Sequence, residues 1–347
     1  MRKARKHVTA ADVADRAGVS QAAVSFALRN LPEVSEEVGK RIREIAKSMN
    51  YYPNVSGQLL QARRNGRSGQ VGLIAASEDI VTLFTNPQIG GCIGNAVKYC
   101  IQKNLRYVIE AHHYGVDAAS FQPPHHAAGG LCDGSVVIGD VGDALRQWLD
   151  QQDGYPWVSV FEPAEYCVLP HSDEGMFQAV RKLVELGHRR IAGTLGPLIY
   201  LTHRLRLKGF QRAIREYGLE VPEDWIATFD PQTTAEDYYR WTGKILTEPN
   251  RPTAILAAGG TQVIVHRATE LGLHVPRDLS IISWAPAATR GDSRPRSAVI
   301  DHDLALAMRY ALDMLMARIE GREVESKTCW VTPELVPDDS LGPAPRL

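Results

Sequence analysis

No apolar run in this 347-residue chain approaches the ~20 residues that a membrane-spanning helix needs, which excludes an integral membrane protein of the helical kind. Residues 1–18, "MRKARKHVTAADVADRAG", are basic but hold neither an apolar stretch nor a small-residue cleavage site, so no secretory signal is read and a cytoplasmic protein is expected. The five cysteines (Cys92, Cys100, Cys132, Cys167, Cys329) form no C-x-x-C pair. They read as reduced thiols of the interior, which excludes a disulfide framework and a zinc site. "GGCIG" and "GTLGP" are glycine clusters, yet neither is G-x-G-x-x-G or a phosphate loop. Without G-x-S-x-G, H-E-x-x-H or a paired-carboxylate motif, the chain offers no hydrolytic constellation; it reads as a non-enzyme, and no cofactor is implied. His112-His113 and His125-His126 lack the spacing of a metal-ligand set and are expected to be exposed loop histidines, with no metal site.

What is present is an ordinary globular composition, 44% apolar and 23% charged, in a chain long enough for two or three compact units. The overall charge of −1 conceals an asymmetry. Residues 1–70 carry 13 Lys+Arg against 6 Asp+Glu, whereas the remainder carries 26 against 34. A basic head on an acidic body suits phosphate binding, and equally a solvated basic tail.

The pattern of the first sixty residues separates these. Thr9 is placed to cap a helix whose apolar Val13 and Ala17 lie four apart, on one face. Gly18 follows where a tight turn needs positive φ. Val19 falls under the turn, and Ser20 can cap a second helix, "QAAVSFALRN", with Val24 and Leu28 inward. A third begins near Ser35, its inner stripe Val38, Ile42, Ile45 and Met49. Three short helices with a glycine turn between the first two make a helix-turn-helix, or else a generic three-helix miniature domain.

"VTAADVADRAGVSQAAVSFALRN" closely resembles the lactose-repressor/galactose-repressor family pattern V-T-x-x-D-V-A-x-x-A-G-V-S-x-x-T-V-S-x-x-L-N, and "YYPNVSGQLL" resembles that family's Y-x-P-N-x-x-A-x-x-L hinge. The resemblance implies a sequence-specific DNA-binding transcriptional regulator, by family default a repressor, whose second helix lies in the major groove. Gln21, Ala22 and Ser25 would then face base edges, since Gln pairs bidentately with adenine and Ala packs on a thymine methyl. Thr9, Ser20, Arg29 and Lys40 would contact phosphates and hold the register. Ala23 replaces the usual Thr, Phe26 the frequent Arg, and Arg29 the usual Asn, so the operator should differ from those of the sugar repressors. Phe26 either packs on thymine methyls or faces the third helix.

Pro53 ends the preceding helix and Asn54 can cap a short one over residues 55–61. The resemblance makes Leu60 the wedge that enters the minor groove at the operator centre. Paired hinges imply a homodimer, with a tetramer still open. Gly57 at the usual Ala weakens this helix by about 1 kcal/mol, so it should order only on DNA.

From Val71 onward, apolar strands ("VGLIAAS", "LRYVIEAH", "GSVVIGD", "WVSVFEP", "RRIAGTLG", "TAILAAGG", "LSIISWA") alternate with amphipathic helices. That alternation predicts an α/β body of two parallel-sheet lobes with helices on both faces. "CDGSVVIG", "LVELGHRRIA", "RLRLKGF" and "LGLHVPRDLSII" extend the resemblance through the body, implying a two-lobed periplasmic-binding-protein-like domain whose chain crosses between lobes three times. The expected units are 1–52 (headpiece), 53–70 (hinge and linker), 71–163 with 291–327 (first lobe) and 164–290 with 328–347 (second lobe), with crossings near 163, 290 and 327. The tail beyond Val336 is expected to be largely unstructured.

In the cleft the resemblance carries over Arg206 as an effector contact, with His171 and Asp173 near the family's acidic position. Gly259-Gly260 replaces the family's N-D pair and Ser283-Trp284-Ala285 its G-x-D, so a simple monosaccharide effector is not expected. Trp284 could stack on an apolar ligand or belong to the core. Three readings follow: an effector of another class, a regulator whose site has decayed, and a solute-binding protein sharing the body. The last leaves residues 8–60 unexplained.

Overall fold

A computed structural model of the chain describes residues 8–28, 32–51, 67–77, 86–113, 120–230, 232–289 and 294–346. Two compact units divide at Ser68 and Gly69.

In the first unit, α1 (Ala10–Ala17), α2 (Gln21–Leu28) and α3 (Glu36–Ser48) enclose a core of Val13, Ala14, Ala17, Val24, Ala27, Ile42 and Ala46. Thr9 caps α1 through a capping box. Its hydroxyl accepts from Asp12 N, and the Asp12 carboxylate accepts from Thr9 N at 2.7 Å. Gly18 closes α1 at φ 67°, the conformation the turn requires. The buried stripe of α3 is Gly39, Ile42 and Ala46, with Val38, Ile45 and Met49 only half-buried beside it. The expected stripe was therefore rotated slightly, because small residues let α3 approach α1 and α2 closely. Arg41 and Arg43 donate to the carbonyls of Ala17 and Ala27, tying α3 to the ends of both partners.

The second unit runs β1 (Gln70–Ser77), α4 (Pro87–Gln102), β2 (Arg106–His113), α5 (His125–Ala128), β3 (Ser135–Gly139), α6 (Asp143–Asp150), β4 (Trp157–Val160) and β5 (Cys167–Pro170). It continues through α7 (Ser172–Glu185), β6 (Ile191–Thr194), α8 (Leu201–Tyr217), β7 (Ile226–Ala227), α9 (Ala235–Leu246), β8 (Ala254–Ala257), α10 (Thr261–Glu270), β9 (Ser280–Trp284) and β10 (Ala298–Asp301). It ends with α11 (Leu304–Glu320), β11 (Thr328–Val331) and β12 (Glu334–Val336). One sheet has the order β11-β5-β4-β3-β1-β2, the other β12-β10-β9-β8-β6-β7. Every pairing is parallel except β10 with β12. The two lobes and their helix-covered parallel sheets are those expected from strand-helix alternation.

The crossings differ from the expected ones. β5 pairs with β4 in the first sheet, β10 with β9 in the second, and β11 with β5 in the first. The chain therefore changes lobe after Pro170, after Asp301 and after Val331, rather than near 163, 290 and 327. Each crossing lies one strand further on, because a strand stays with the sheet that satisfies its backbone. The tail is also ordered, contrary to expectation. Ser340 is buried, donates to Ile281 O at 2.5 Å, and accepts from Ala298 N. Gly342 O lies 3.1 Å from the ring of buried His188.

His112 and His126 are buried rather than exposed. Both ring nitrogens of His126 are used: Nδ1 is 2.6 Å from Glu110 and Nε2 3.1 Å from Ser135 Oγ, which is 2.5 Å from the Tyr155 hydroxyl. Burial pushes the Glu110 carboxyl upward, but hydrogen bonds from the backbone and rings of His125 and His126 outweigh it and hold the group at about 2. Ser135 is wholly buried, so this serine-histidine-glutamate chain has no route to a substrate and serves to pin α5 to the sheet. All five cysteines are free, and burial raises the Cys92 thiol to about 12.

Two substitutions separate the units. A Cβ at Gly72 would overlap Ser135 Oγ and His126 Nε2, so Gly72→Ala should cost the body about 1–3 kcal/mol. Ile42→Ala should cost the headpiece about 2–5 kcal/mol. Calorimetry of the whole chain should show each change confined to its own unit's transition; a shared shift would contradict the division.

Candidate functional site

On α2 the inward Val24 and Ala27 leave Gln21 and Ala22 exposed and Ser25 half-exposed on one outer face. Ser20 Oγ accepts from Ala23 N at 3.2 Å, which fixes the start of this helix. Thr9 and Lys40 are exposed, and Phe26 is half-buried. Arg29, Asn54 and Leu60 lie outside the described residues. A short capped helix that shows small polar side chains outward, in a segment with excess positive charge, is suited to enter a groove of DNA.

In the body, ligands of open parallel sheets collect at strand carboxyl ends where strand order reverses. In the first sheet that point lies between β1 and β3; in the second, between β6 and β8. Both open onto one cavity of about 460 Å³, within the range of small-molecule sites. The first lobe contributes Asn86, Gln88, Asp140, Phe161 and Glu162; the second contributes Tyr200, Thr202, His203 and Gln232. Asn86 also caps α4, accepting from Gln88 N at 2.9 Å. Phe161 holds φ 77°, a strained backbone for a non-glycine residue, beside the cavity.

Glu162 connects the lobes: it follows β4, and its carboxylate accepts from the backbone N–H of Leu201 at the start of α8. Burial and the nearby Asp140 raise its pKa to about 7, against the opposing pull of Arg204, Arg146 and the Leu201 amide. One turn along α8 from the cavity-lining His203, Arg206 is buried, with its guanidinium 4.3 Å over the Trp284 ring. The Trp284 indole donates to His302 Nε2, and the His302 ring lies 5.6 Å from that of Phe161. Burial and the charge of Arg206 hold His203 at about 3 and His302 well below its ordinary range, so both rings are neutral.

Of the four expected effector residues, Arg206 and Trp284 are stacked on each other, and neither lines the cavity. His171 and Asp173 do not line it. His171 stacks on Trp330 at 4.5 Å, and Asp173 faces Lys208 at 3.7 Å. Sequence reasoning missed Asn86, Gln88, Asp140 and Glu162. It looked for carboxylates and amides in second-lobe motifs, whereas here the first lobe supplies most of them.

A helix-turn-helix headpiece and a two-lobed α/β body define a DNA-binding transcriptional regulator rather than an enzyme. The family model for bacterial regulatory proteins of the lacI family matches residues 9–54, and that for a periplasmic binding protein-like domain matches residues 180–341. The chain belongs to the lactose-repressor/galactose-repressor family. It is similar to the HTH-type transcriptional repressor PurR of Escherichia coli O139:H28, at 27% identity over 344 residues covering 97% of this chain and 98% of the relative. Its fold is that of the lac repressor dimer bound to operator and the anti-inducer ONPF (TM-score 0.76, 21% identity, 96% of this chain and 99% of that one). It is also that of the transcriptional regulator CelR in complex with cellobiose (TM-score 0.68, 23% identity, 96% and 100%). Among the described residues no helix is long and apolar enough to cross a membrane.

The Glu162 contact predicts a pH dependence. Its folded pKa lies above the ordinary 4.5, so its contribution to stability is complete below about pH 4.5 and is lost as pH rises through about 7. Glu162→Gln should therefore melt close to the wild type at pH 5 and above it at pH 8. An equal difference at both pH values would show that the carboxyl is not buried against Asp140.

Proposed function

We propose that the chain is a cytoplasmic repressor that binds a pseudo-palindromic operator as a homodimer and releases or tightens its grip when a small molecule enters the interlobe cavity. The observation that carries the DNA half is the outer face of α2, where Gln21, Ala22 and Ser25 lie opposite the buried Val24 and Ala27. Gln21 and Ala22 read base edges, Phe26 lies beside them, and Thr9, Ser20, Arg29 and Lys40 hold phosphates. On this reading the segment between the headpiece and β1 is the hinge, with Asn54 and Leu60 at the DNA and Leu60 as the minor-groove wedge. The relatives support this reading: PurR is by name a repressor, and the lac repressor structure is by title a dimer on its operator.

The cavity supports a ligand-responsive regulator over one with a decayed site, because polar groups from both lobes converge on it. A ligand that touches both walls biases the angle between the lobes and thereby the DNA affinity. Selection of genomic fragments by the purified protein at near-physiological salt, followed by sequencing, should recover a short palindrome with a flexible central step. Binding without an enriched motif, vanishing as salt rises, would reduce the headpiece to a phosphate-binding module. Leu60→Ala should weaken operator binding by at least about tenfold while leaving random-sequence binding nearly unchanged. Equal losses on both DNAs would sink the wedge role.

A further inference from the structure

The interlobe cavity carries charge of one sign. Among the described residues that line it, Asp140 and Glu162 are acidic and no lysine or arginine joins them. The lining histidine adds no positive charge. His203 Nδ1 is 2.9 Å from Pro197 O, and since a carbonyl can only accept, Nδ1 holds the proton of a neutral ring. Burial, with the charge of Arg206, keeps that ring at about 3.

Two arginines act on Glu162 without lining the cavity. Arg146 donates to Pro163 O, and Arg204 donates to Leu198 O at 2.9 Å and Ile199 O at 2.6 Å, so both are engaged with backbone carbonyls. Burial and Asp140 outweigh their pull and that of the Leu201 amide, and Glu162 takes up a proton at about 7. A wall that collects protons against two guanidiniums is short of positive charge. Aromatic residues complete the lining, Phe161 from the first lobe and Tyr200 from the second. The face of such a ring attracts a cation, most strongly where water is excluded.

A ligand entering this space displaces the water that screens one carboxylate from the other, so its own charge decides how well it is tolerated. An anion adds to the repulsion. A neutral polyol leaves it uncompensated in a drier space, while a cation removes it. A bare metal ion fits less well: among the described residues no group of three or more His, Cys, Asp or Glu side chains is placed to hold one, and the cavity of about 460 Å³ has room for a molecule.

We propose that the effector is a small organic cation, a protonated amine or quaternary ammonium paired with Asp140 and Glu162 and lying against the rings of Phe161 and Tyr200. This rests on the reading of the cavity as the effector site. Asn86, Gln88 and Gln232 then meet the hydroxyl or amide groups of the ligand. The cation favours the ionised Glu162 carboxylate, so its binding expels the proton held there.

The test is titration calorimetry of the full-length protein with two sets of probes matched in shape. Choline is compared with its neutral isostere 3,3-dimethylbutan-1-ol, and N-methyl-D-glucamine with neutral D-glucitol and anionic D-gluconate. At about pH 8 at least one of the two cations should bind tighter than its matched probes by about tenfold or more. Lowering the pH from about 8 to about 6 should weaken that binding by roughly tenfold, because a carboxyl titrating at about 7 passes from mostly ionised to mostly protonated. Glu162→Gln should lose this pH dependence and most of the preference for the cation, and Asp140→Asn should weaken the cation in the same direction. Equal or tighter binding of a neutral or anionic probe would overturn the inference, with the effector reading left standing. So would a cation that binds both variants as tightly as the wild type, cation binding that does not change with pH, or no response to either cation. Cation binding that leaves affinity for the selected operator unchanged would instead defeat the effector reading while keeping the cation site.

Discussion

Parallel strands in an open sheet must reverse their order once, and at that reversal the connecting loops part and leave a crevice. Everything else in the body follows from having two such crevices in one compact unit. β1 and β3 open one, β6 and β8 the other, and both lead into the same cavity. The residues that follow the strand ends, Asp140 after β3, Phe161 and Glu162 after β4, and Pro197 after β6, are therefore delivered to one place from distant parts of the chain. The strained backbone of Phe161 and the contact from Glu162 to the start of α8 both lie on this seam, where the lobes meet.

Buried cations of the body are accommodated in more than one way. Arg206 stacks on Trp284, while Arg212 and Arg267, each also against a ring, donate to glutamates. His203 and His302 adapt by staying neutral, a choice a guanidinium does not have. Two buried histidines away from the cavity are satisfied within the fold. His126 bridges Glu110 and Ser135, and His188 bridges Thr253 and Ser280.

The headpiece obeys different rules. Its core is a handful of alanines, valines and one fully buried isoleucine, so caps and turn residues carry a larger share of its definition than in the body. Thr9, Gly18 and Ser20 act within a few residues of themselves, which is why their roles were legible in sequence. The same holds for the seven body strands recognised from apolar runs. β5, β7, β10, β11 and β12 escaped notice because each is short and takes its identity from the strand it pairs with. The ordered tail escaped for the same reason, since Ser340 and Gly342 are fixed by Ile281, Ala298 and His188.

Local sequence therefore determined the helix-turn-helix, the strand-helix alternation and, through family resemblance, the architecture. These depend on periodicity and on caps and turns, whose ranges are a few residues. Only the tertiary structure decided where the chain changes lobe, and it replaced His171 and Asp173 by Asn86, Gln88, Asp140 and Glu162 at the cavity wall. It also buried His112, His126 and Arg206. Sheet pairing, burial and charge compensation are properties of neighbours in space, and no spacing along the chain encodes which neighbours those will be.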